Sequence, residues 1–243
     1  MTRIMTWNVH LCIGTDRRLD VGRVADVIAA QTPDIIALQE LDVGRARTGG
    51  LDQAQELARR LGMKFHFNAA IAFEDEAYGD AILTYLPERL VKSGPLPGYP
   101  RLKGLEPRGA LWVAVQVGGR ELQVITTHLG LVPQEQRLQA VALAGVNWLG
   151  DPDRGNPTIF LGDLNAHRRS SVCRTLLRGL KDARELSDGF SAIPTFPSTL
   201  PMVGIDHVFV SEDIRVQSLW TPTDRLSRQA SDHLPLVLDF DIA

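Results

Sequence analysis

The chain has 243 residues, 44% of them hydrophobic and 23% charged, with 21 Gly and 14 Pro. Such values exclude disordered, collagen-like and coiled-coil chains, and the length allows a substantial core without covalent staples. The formal net charge of −3 argues against a general nucleic-acid binder, because affinity for a phosphate backbone comes from excess Lys and Arg. Cys12 and Cys173 make neither a disulfide framework nor a CxxC zinc pattern. The sequence holds no apolar run approaching the roughly 18 residues of a bilayer span, and the opening MTRIMTWNVH lacks a signal-peptide core. A cytoplasmic protein with no transmembrane segment is expected.

In chain order, short β-rich runs occupy residues 4–9, 34–39, 81–85, 110–117, 121–128, 158–164, 205–210, 216–220 and 234–240. Gly118-Gly119, between two of them, is a two-residue hairpin signal. Helical patterns fall in between. Asp20 precedes Val21, Val24, Val27 and Ile28, spaced for one helix face. Asp52 opens a second helix through Leu57 and Leu61 that Gly62 closes. Pro133 starts a third that runs to Trp148, with Leu138, Val141, Ala142 and Leu149 as its apolar positions and Gly150 as its stop. Residues 170–177 form a fourth. The Pro- and Gly-rich stretch 93–109 reads as a long surface loop. The mixture of βαβ-like stretches and hairpins predicts an α/β domain spanning residues 1–243, with helices on the outer faces of the sheets.

Polar residues interrupt the strand ends. Asn8 closes the first strand, Gln39-Glu40 the second and His128 a third. Asp163 and Asn165 end another and, two apart, share a face. Asp206 opens the strand at 205–210, and Asp232-His233 precedes the last. Singly, each reads as a turn former, a cap or a solvated end. Together they gather carboxylates, amides and histidines at the rims of buried strands, where α/β scaffolds carry their active sites. A set rich in oxygen ligands, without HExxH, suits a hard cation such as Mg²⁺ or Mn²⁺ rather than structural zinc.

The order of these segments resembles that of the endonuclease/exonuclease/phosphatase superfamily. The resemblance rests on Trp7-Asn8-Val9-His10, Gln39-Glu40, Tyr78-Gly79-Asp80-Ala81, Pro107-Arg108-Gly109, Thr127-His128-Leu129, Gly162-Asp163-Leu164-Asn165, Ile205-Asp206-His207 and Ser231-Asp232-His233-Leu234-Pro235, spread over residues 4–240. It implies a four-layer α/β sandwich of two mainly antiparallel sheets packed face to face, with helices outside. It also implies a divalent-metal-dependent phosphoesterase, with a phosphodiesterase the favoured reading, in which water attacks a phosphoester with metal assistance. By the same resemblance Glu40, Asn8 and Asp232 are the metal ligands, and Asp163 orients or deprotonates the attacking water. Asn165, His128 and His233 contact the phosphate, and Asp206 orients His233. Arg108, Asp80 and Arg47 are candidates for a substrate phosphate.

Charge balance adds a condition: a site of carboxylates alone repels an anionic phosphate, so the metal, His128, His233 and Arg108 are expected to supply the positive field. Asp80 departs from the Asn common in the Tyr-Gly-Asn-Ala pattern. His207 reads as structural, and His10, His66 and His167 as core or surface residues. Phe190, Phe196, Leu200, Pro201 and Met202 suggest an apolar rim for a lipid, with core packing or loop anchoring the favoured alternative. The charge favours a small or lipid-derived phosphoester, acted on by a monomer. The alternative is a Mg²⁺-dependent DNA or RNA nuclease, which needs a locally cationic groove; a non-catalytic scaffold fits less well, because every site residue is present.

Overall fold

A computed structural model of the protein describes residues 1–187 and 193–243; Phe190 of the expected apolar rim lies outside the described residues. Among the described residues twelve strands form two six-stranded sheets. The first sheet has the order β11 (Ile214–Trp220), β12 (Leu236–Ile242), β1 (Thr2–Asn8), β2 (Ile35–Val43), β4 (Glu76–Thr84), β3 (Lys64–Phe73). The second has the order β5 (Glu88–Pro95), β6 (Gly109–Val117), β7 (Arg120–His128), β8 (Thr158–Asp163), β10 (Asp206–Val210), β9 (Lys181–Asp182). Among the described residues only β1–β2 and β7–β8 pair in parallel. Three apolar clusters make four layers: one between the sheets, around Ile4, Ile35, Val113, Val124 and Leu236; one under α1 (Val21–Gln31) and α2 (Gln53–Leu61); and one under α3 (Pro133–Ala144) and α4 (Ser171–Leu176).

Local sequence explains most of the elements. Helix α1 (Val21–Gln31) buries Val21, Val24, Val27 and Ile28, and the Asp20 carboxylate accepts the Arg23 N–H as its N-cap. Helix α2 (Gln53–Leu61) is capped by Asp52 and closed by left-handed Gly62. Ser170 caps α4 (Ser171–Leu176). Gly118 and Gly119, both at positive φ, turn β6 into β7.

Two expectations are corrected, and several elements lie outside the predicted runs. The stretch 93–109 is shorter as a loop, because Ser93 to Pro95 pair with β6. Strands β3 and β5 lie at sheet edges with few buried positions; β5 lacks the apolar run that marks a strand, whereas β3 carries one, Ala69-Ala70-Ile71-Ala72-Phe73, that lies outside the predicted runs. Helix α3 (Pro133–Ala144) stops at Gly145, not Gly150, and Leu138 and Val141 point to solvent. Its buried face carries Gln136, Gln139, Ala140 and Leu143 instead. Helix α6 (Arg225–Ala230), capped by Asp224, is too short for periodicity to show.

The β7–β8 pairing depends on Gly162. At φ +144° a Cβ there would lie 2.0 Å from the Thr127 carbonyl oxygen. Gly162→Ala is therefore expected to destabilise the fold by roughly 2–4 kcal/mol through backbone strain and overpacking, read as a lower urea midpoint. An unchanged midpoint would contradict the close approach of the two backbones.

Candidate active site

The site lies where the C-terminal ends of β1, β2, β7 and β8 meet the start of β10. Register builds its central row. His128 on β7 pairs with Asp163 on β8, and Asp163 pairs with Asp206 on β10. Facing them, Asn8 ends β1 and Glu40 sits on β2. The Asn8 amide nitrogen joins the two sheets, donating to Glu40 Oε1 at 2.9 Å and to Asp163 Oδ2 at 3.1 Å.

Glu40 occupies a β-bulge. The β2–β4 register shifts between Leu38 and Leu41, and Glu40 takes φ +60°. Such a conformation is costly for Glu and belongs with functional positions. Burial opposes its charge, but hydrogen bonding from His10 and Asn8 and the proximity of His128 hold it down to about 2. Glu40 is thus ionised at all physiological pH. Asp232 lies on the same side: His10 Nδ1 is 3.5 Å from Glu40 Oε2 and 3.7 Å from Asp232 Oδ1. His10 was expected in the core or on the surface; it stands instead between two carboxylates, the Glu40 bond raising its proton affinity. Three consecutive left-handed residues, His10, Leu11 and Cys12, put it there, and no local sequence signal announces that turn.

Asp163 is buried. Its Oδ1 accepts the Asn165 N–H at 2.9 Å, while its Oδ2 lies 3.5 Å from His128 Nε2 and 3.7 Å from His233 Nε2. Burial and the nearby Asp206 charge raise its proton affinity well above the ordinary carboxylate range. His233 Nδ1 lies 3.0 Å from Asp206 Oδ2, which also accepts the Thr195 hydroxyl. Burial works against charge on His233, but Asp206, with Asp163 and Asp232, pushes it up to about 10. The Phe196 ring packs against its imidazole, centroids 4.9 Å apart.

His128 differs. Burial and the Arg108 guanidinium push it down to about 3, so it is neutral at pH 7. This corrects the expectation that His128 brings positive charge; His233 is the cationic histidine of the row. Arg108 and Arg47, expected on a substrate phosphate, are engaged within the protein. Arg108 Nη1 donates to His128 Nδ1 at 2.8 Å and pairs with Glu106 at 2.8 Å. Arg47 makes two 2.7 Å bonds to Asp42 and lies over the Tyr78 ring. Asp80 is buried behind Glu40, beside Arg108; burial raises it to about 7, with Arg108 and the Glu40 backbone N–H acting the other way.

Sequence reasoning missed the supports from α3. Gln136 Nε2 donates to the Gly130 and Asn165 carbonyls, both at 2.8 Å, and Gln139 Oε1 accepts the Gly130 N–H at 2.9 Å. These buried amides clamp the loops that follow His128 and Asp163. His207 is structural as expected, accepting from Arg184 Nη1 at 3.1 Å and lying 2.8 Å from the Ala166 carbonyl.

The His233 charge has a calculable consequence. Its folded-state value of about 10 lies above an unfolded value of about 6.5. The stabilisation it brings is fully present below about 6.5 and is lost as pH rises through about 10. Asp206→Asn is expected to bring the His233 titration, followed by NMR, down towards neutral pH. A titration unmoved by that change would contradict the Asp206–His233 pairing.

The fold and the motifs agree with the comparisons. The description Endonuclease/Exonuclease/phosphatase family belongs to the family model that matches residues 5–233. An endonuclease/exonuclease/phosphatase from Beutenbergia cavernae DSM 12333 is 24% identical with a TM-score of 0.81, over 100% of this chain and 72% of its own. The Bacteroides thetaiotaomicron VPI-5482 mannosyl-6-phosphatase Bt3783 is 18% identical with a TM-score of 0.81, over 100% of both chains. The human Nocturnin catalytic domain, solved with a bound sulfate anion, is 24% identical with a TM-score of 0.74, over 100% of this chain and 94% of its own. No curated protein matches the chain. With a family model covering nearly its whole length on a four-layer α/β sandwich, the chain belongs to the endonuclease/exonuclease/phosphatase family, which includes phosphatases, nucleases and phosphodiesterases.

Proposed function

We propose that the protein is a divalent-metal-dependent phosphodiesterase acting on a small or lipid-derived phosphoester. The observation that carries this reading is the convergence, from six separate segments, of Asn8, Glu40, His128, Asp163, Asp206 and His233 at one end of the two stacked sheets.

The donor set fits a hard cation on the Glu40 side. Glu40 and Asp232 both present a carboxylate oxygen to the place where His10 Nδ1 stands, and paired carboxylates suit Mg²⁺ or Mn²⁺. Asn8 turns its nitrogen to the carboxylates and its Oδ1 accepts the His10 N–H at 3.0 Å, so it orients Glu40 in this state, and serving as an oxygen ligand would require its amide to turn. Asp163, Asp206 and His233 also bring one ligand atom each within 4.8 Å of one another. There, however, a cationic His233 already has Nδ1 committed to Asp206, so we read this group as acid–imidazole machinery rather than a metal cage. A divalent cation, when bound, supplies positive charge against the phosphoryl and leaving oxygens.

The chain's own residues do the rest. Asp163 accepts the proton of the attacking water as the new O–P bond forms and the bond to the leaving oxygen breaks, the departing alkoxide taking its proton from solvent. Its raised proton affinity suits that role near neutral pH. Cationic His233 faces the reacting group through Nε2 and opposes its negative charge. Asn165 keeps its amide nitrogen towards the site through a 3.0 Å bond to the Leu129 carbonyl.

The substrate class rests on the rim. Leu131, Leu200 and Met202 are 73%, 67% and 70% exposed, which sets aside core packing for Leu200 and Met202. Leu131 follows the His128 segment, and Met202 bonds the Phe196 carbonyl beside His233. Exposed apolar side chains around a phosphoesterase site suit an ester with an apolar alcohol. Among the described residues no helix is long and apolar enough to cross a membrane, and the two free cysteines, both buried, suit a reducing compartment.

Hydrolysis of a bis-aryl phosphodiester is expected with Mg²⁺ or Mn²⁺ and is expected to stop with chelator. Asp163→Asn is expected to lower kcat by roughly 10²–10⁴-fold, the range for a positioned proton acceptor, with the unfolding midpoint little changed. Wild-type kinetics in that variant would remove Asp163 from the mechanism. In a panel, diesters of apolar alcohols are expected to outrun DNA and RNA; a preference for DNA with steep salt dependence would favour the nuclease reading.

A further inference from the structure

The contact between Arg108 and His128 decides which nitrogen of His128 carries its proton. A guanidinium has only donors. Arg108 Nη1 lies 2.8 Å from His128 Nδ1, so Nδ1 must offer its lone pair, and in a neutral ring the proton is then on Nε2. Arg108 is itself fixed. It is 7% exposed, pairs with Glu106 Oε1 at 2.8 Å, and lies beside the buried Asp80 carboxyl.

The consequence appears on the other side of the ring. Asn165 Nδ2 lies 3.0 Å from His128 Nε2, and the Leu129 carbonyl holds that amide with its nitrogen inward. A neutral imidazole cannot accept at both nitrogens. With Nδ1 taken, Nε2–H and the Asn165 N–H are two donors side by side, and an anionic oxygen placed between them satisfies both.

We propose that Arg108 is a positioning residue that locks His128 in its Nε2–H tautomer, making His128 a neutral hydrogen-bond donor to a phosphoryl oxygen and excluding it as the general base. The identity of the acceptor rests on the function proposed above; the tautomer does not. Arg108 therefore acts one layer behind the reacting atoms, on the histidine rather than on the substrate. The two histidines divide the work, His233 bringing charge and His128 a directed dipole.

The test is ¹⁵N NMR of the full-length protein labelled at histidine, with His128 assigned by the signals lost in His128→Gln. The wild-type ring is expected to show an unprotonated Nδ1 and a protonated Nε2 at neutral pH. In Arg108→Met, Nδ1 loses its donor and its resonance is expected to move; in Arg108→Lys, which restores a donor, it is expected to move back towards wild type. Turnover in Arg108→Met is expected to fall on the order of 10²-fold, as for a misdirected proton donor, with the metal concentration for half activation unchanged. A protonated Nδ1 in the wild type overturns the proposal, and so does an identical ring spectrum in Arg108→Met. If Arg108→Met does not fold, the wild-type spectrum and Arg108→Lys still decide. The spectra need no substrate, so a protein with the expected ring signals and no hydrolytic activity would sink the functional reading and leave the tautomer standing.

Discussion

Backbone register across three neighbouring strands is what the site depends on. Pairing His128 with Asp163 and Asp163 with Asp206 sets three polar side chains in one row across the second sheet. A slip of one residue in either pairing would turn a strand's side chains to the opposite face. The apolar cluster between the sheets enforces the register, since Val124, Leu161 and Val208 on the same strands are buried in it. The core and the chemistry are therefore specified by the same alternation. The Asn8 amide ties the first sheet to this row, touching a carboxylate of each sheet.

Electrostatics then divides like groups into different roles. Glu40 and Asp163 are both carboxylates at strand ends, yet Glu40 is held ionised by its donors whereas Asp163 is pushed towards protonation by burial and by Asp206. His128 and His233 are both buried imidazoles, one facing a guanidinium and the other a carboxylate. The neighbour, rather than the residue type, fixes each charge. Environments that separate the proton affinities of paired groups are what acid–base chemistry at neutral pH requires.

Much of this was legible in the sequence, for physical reasons. Strands buried on both faces read as continuous apolar runs, and the polar residue at each end stood out against them, as with Gln39-Glu40 after Ile35 to Leu38. Caps such as Asp20 and Asp52 marked helix starts. The edge strand β5 carried no such pattern, because one side of it faces solvent, whereas β3 held apolar residues from Phe65 to Phe73 that lie outside the predicted runs. Helix α3 misled for the reverse reason: its apolar Leu138 and Val141 face outward, while its glutamines are buried to hold the site loops. His10 was hidden by a run of left-handed residues that composition does not encode. The engagements of Arg108 with His128 and of Arg47 with Asp42 join strands and loops distant in the chain or turned by local geometry, and only coordinates reveal them.

A cation beside Glu40 and Asp232 and a phosphate against His128, Asn165 and His233 are expected to meet next to Asp163. A crystal structure with Mn²⁺ and inorganic phosphate, read by anomalous scattering at the manganese edge, tests this arrangement most directly. The metal is predicted against Glu40 and Asp232, with phosphate oxygens on His128 Nε2, Asn165 Nδ2 and His233 Nε2. Manganese held by Asp206 and His233, or phosphate bound away from the Asp163 row, would contradict it.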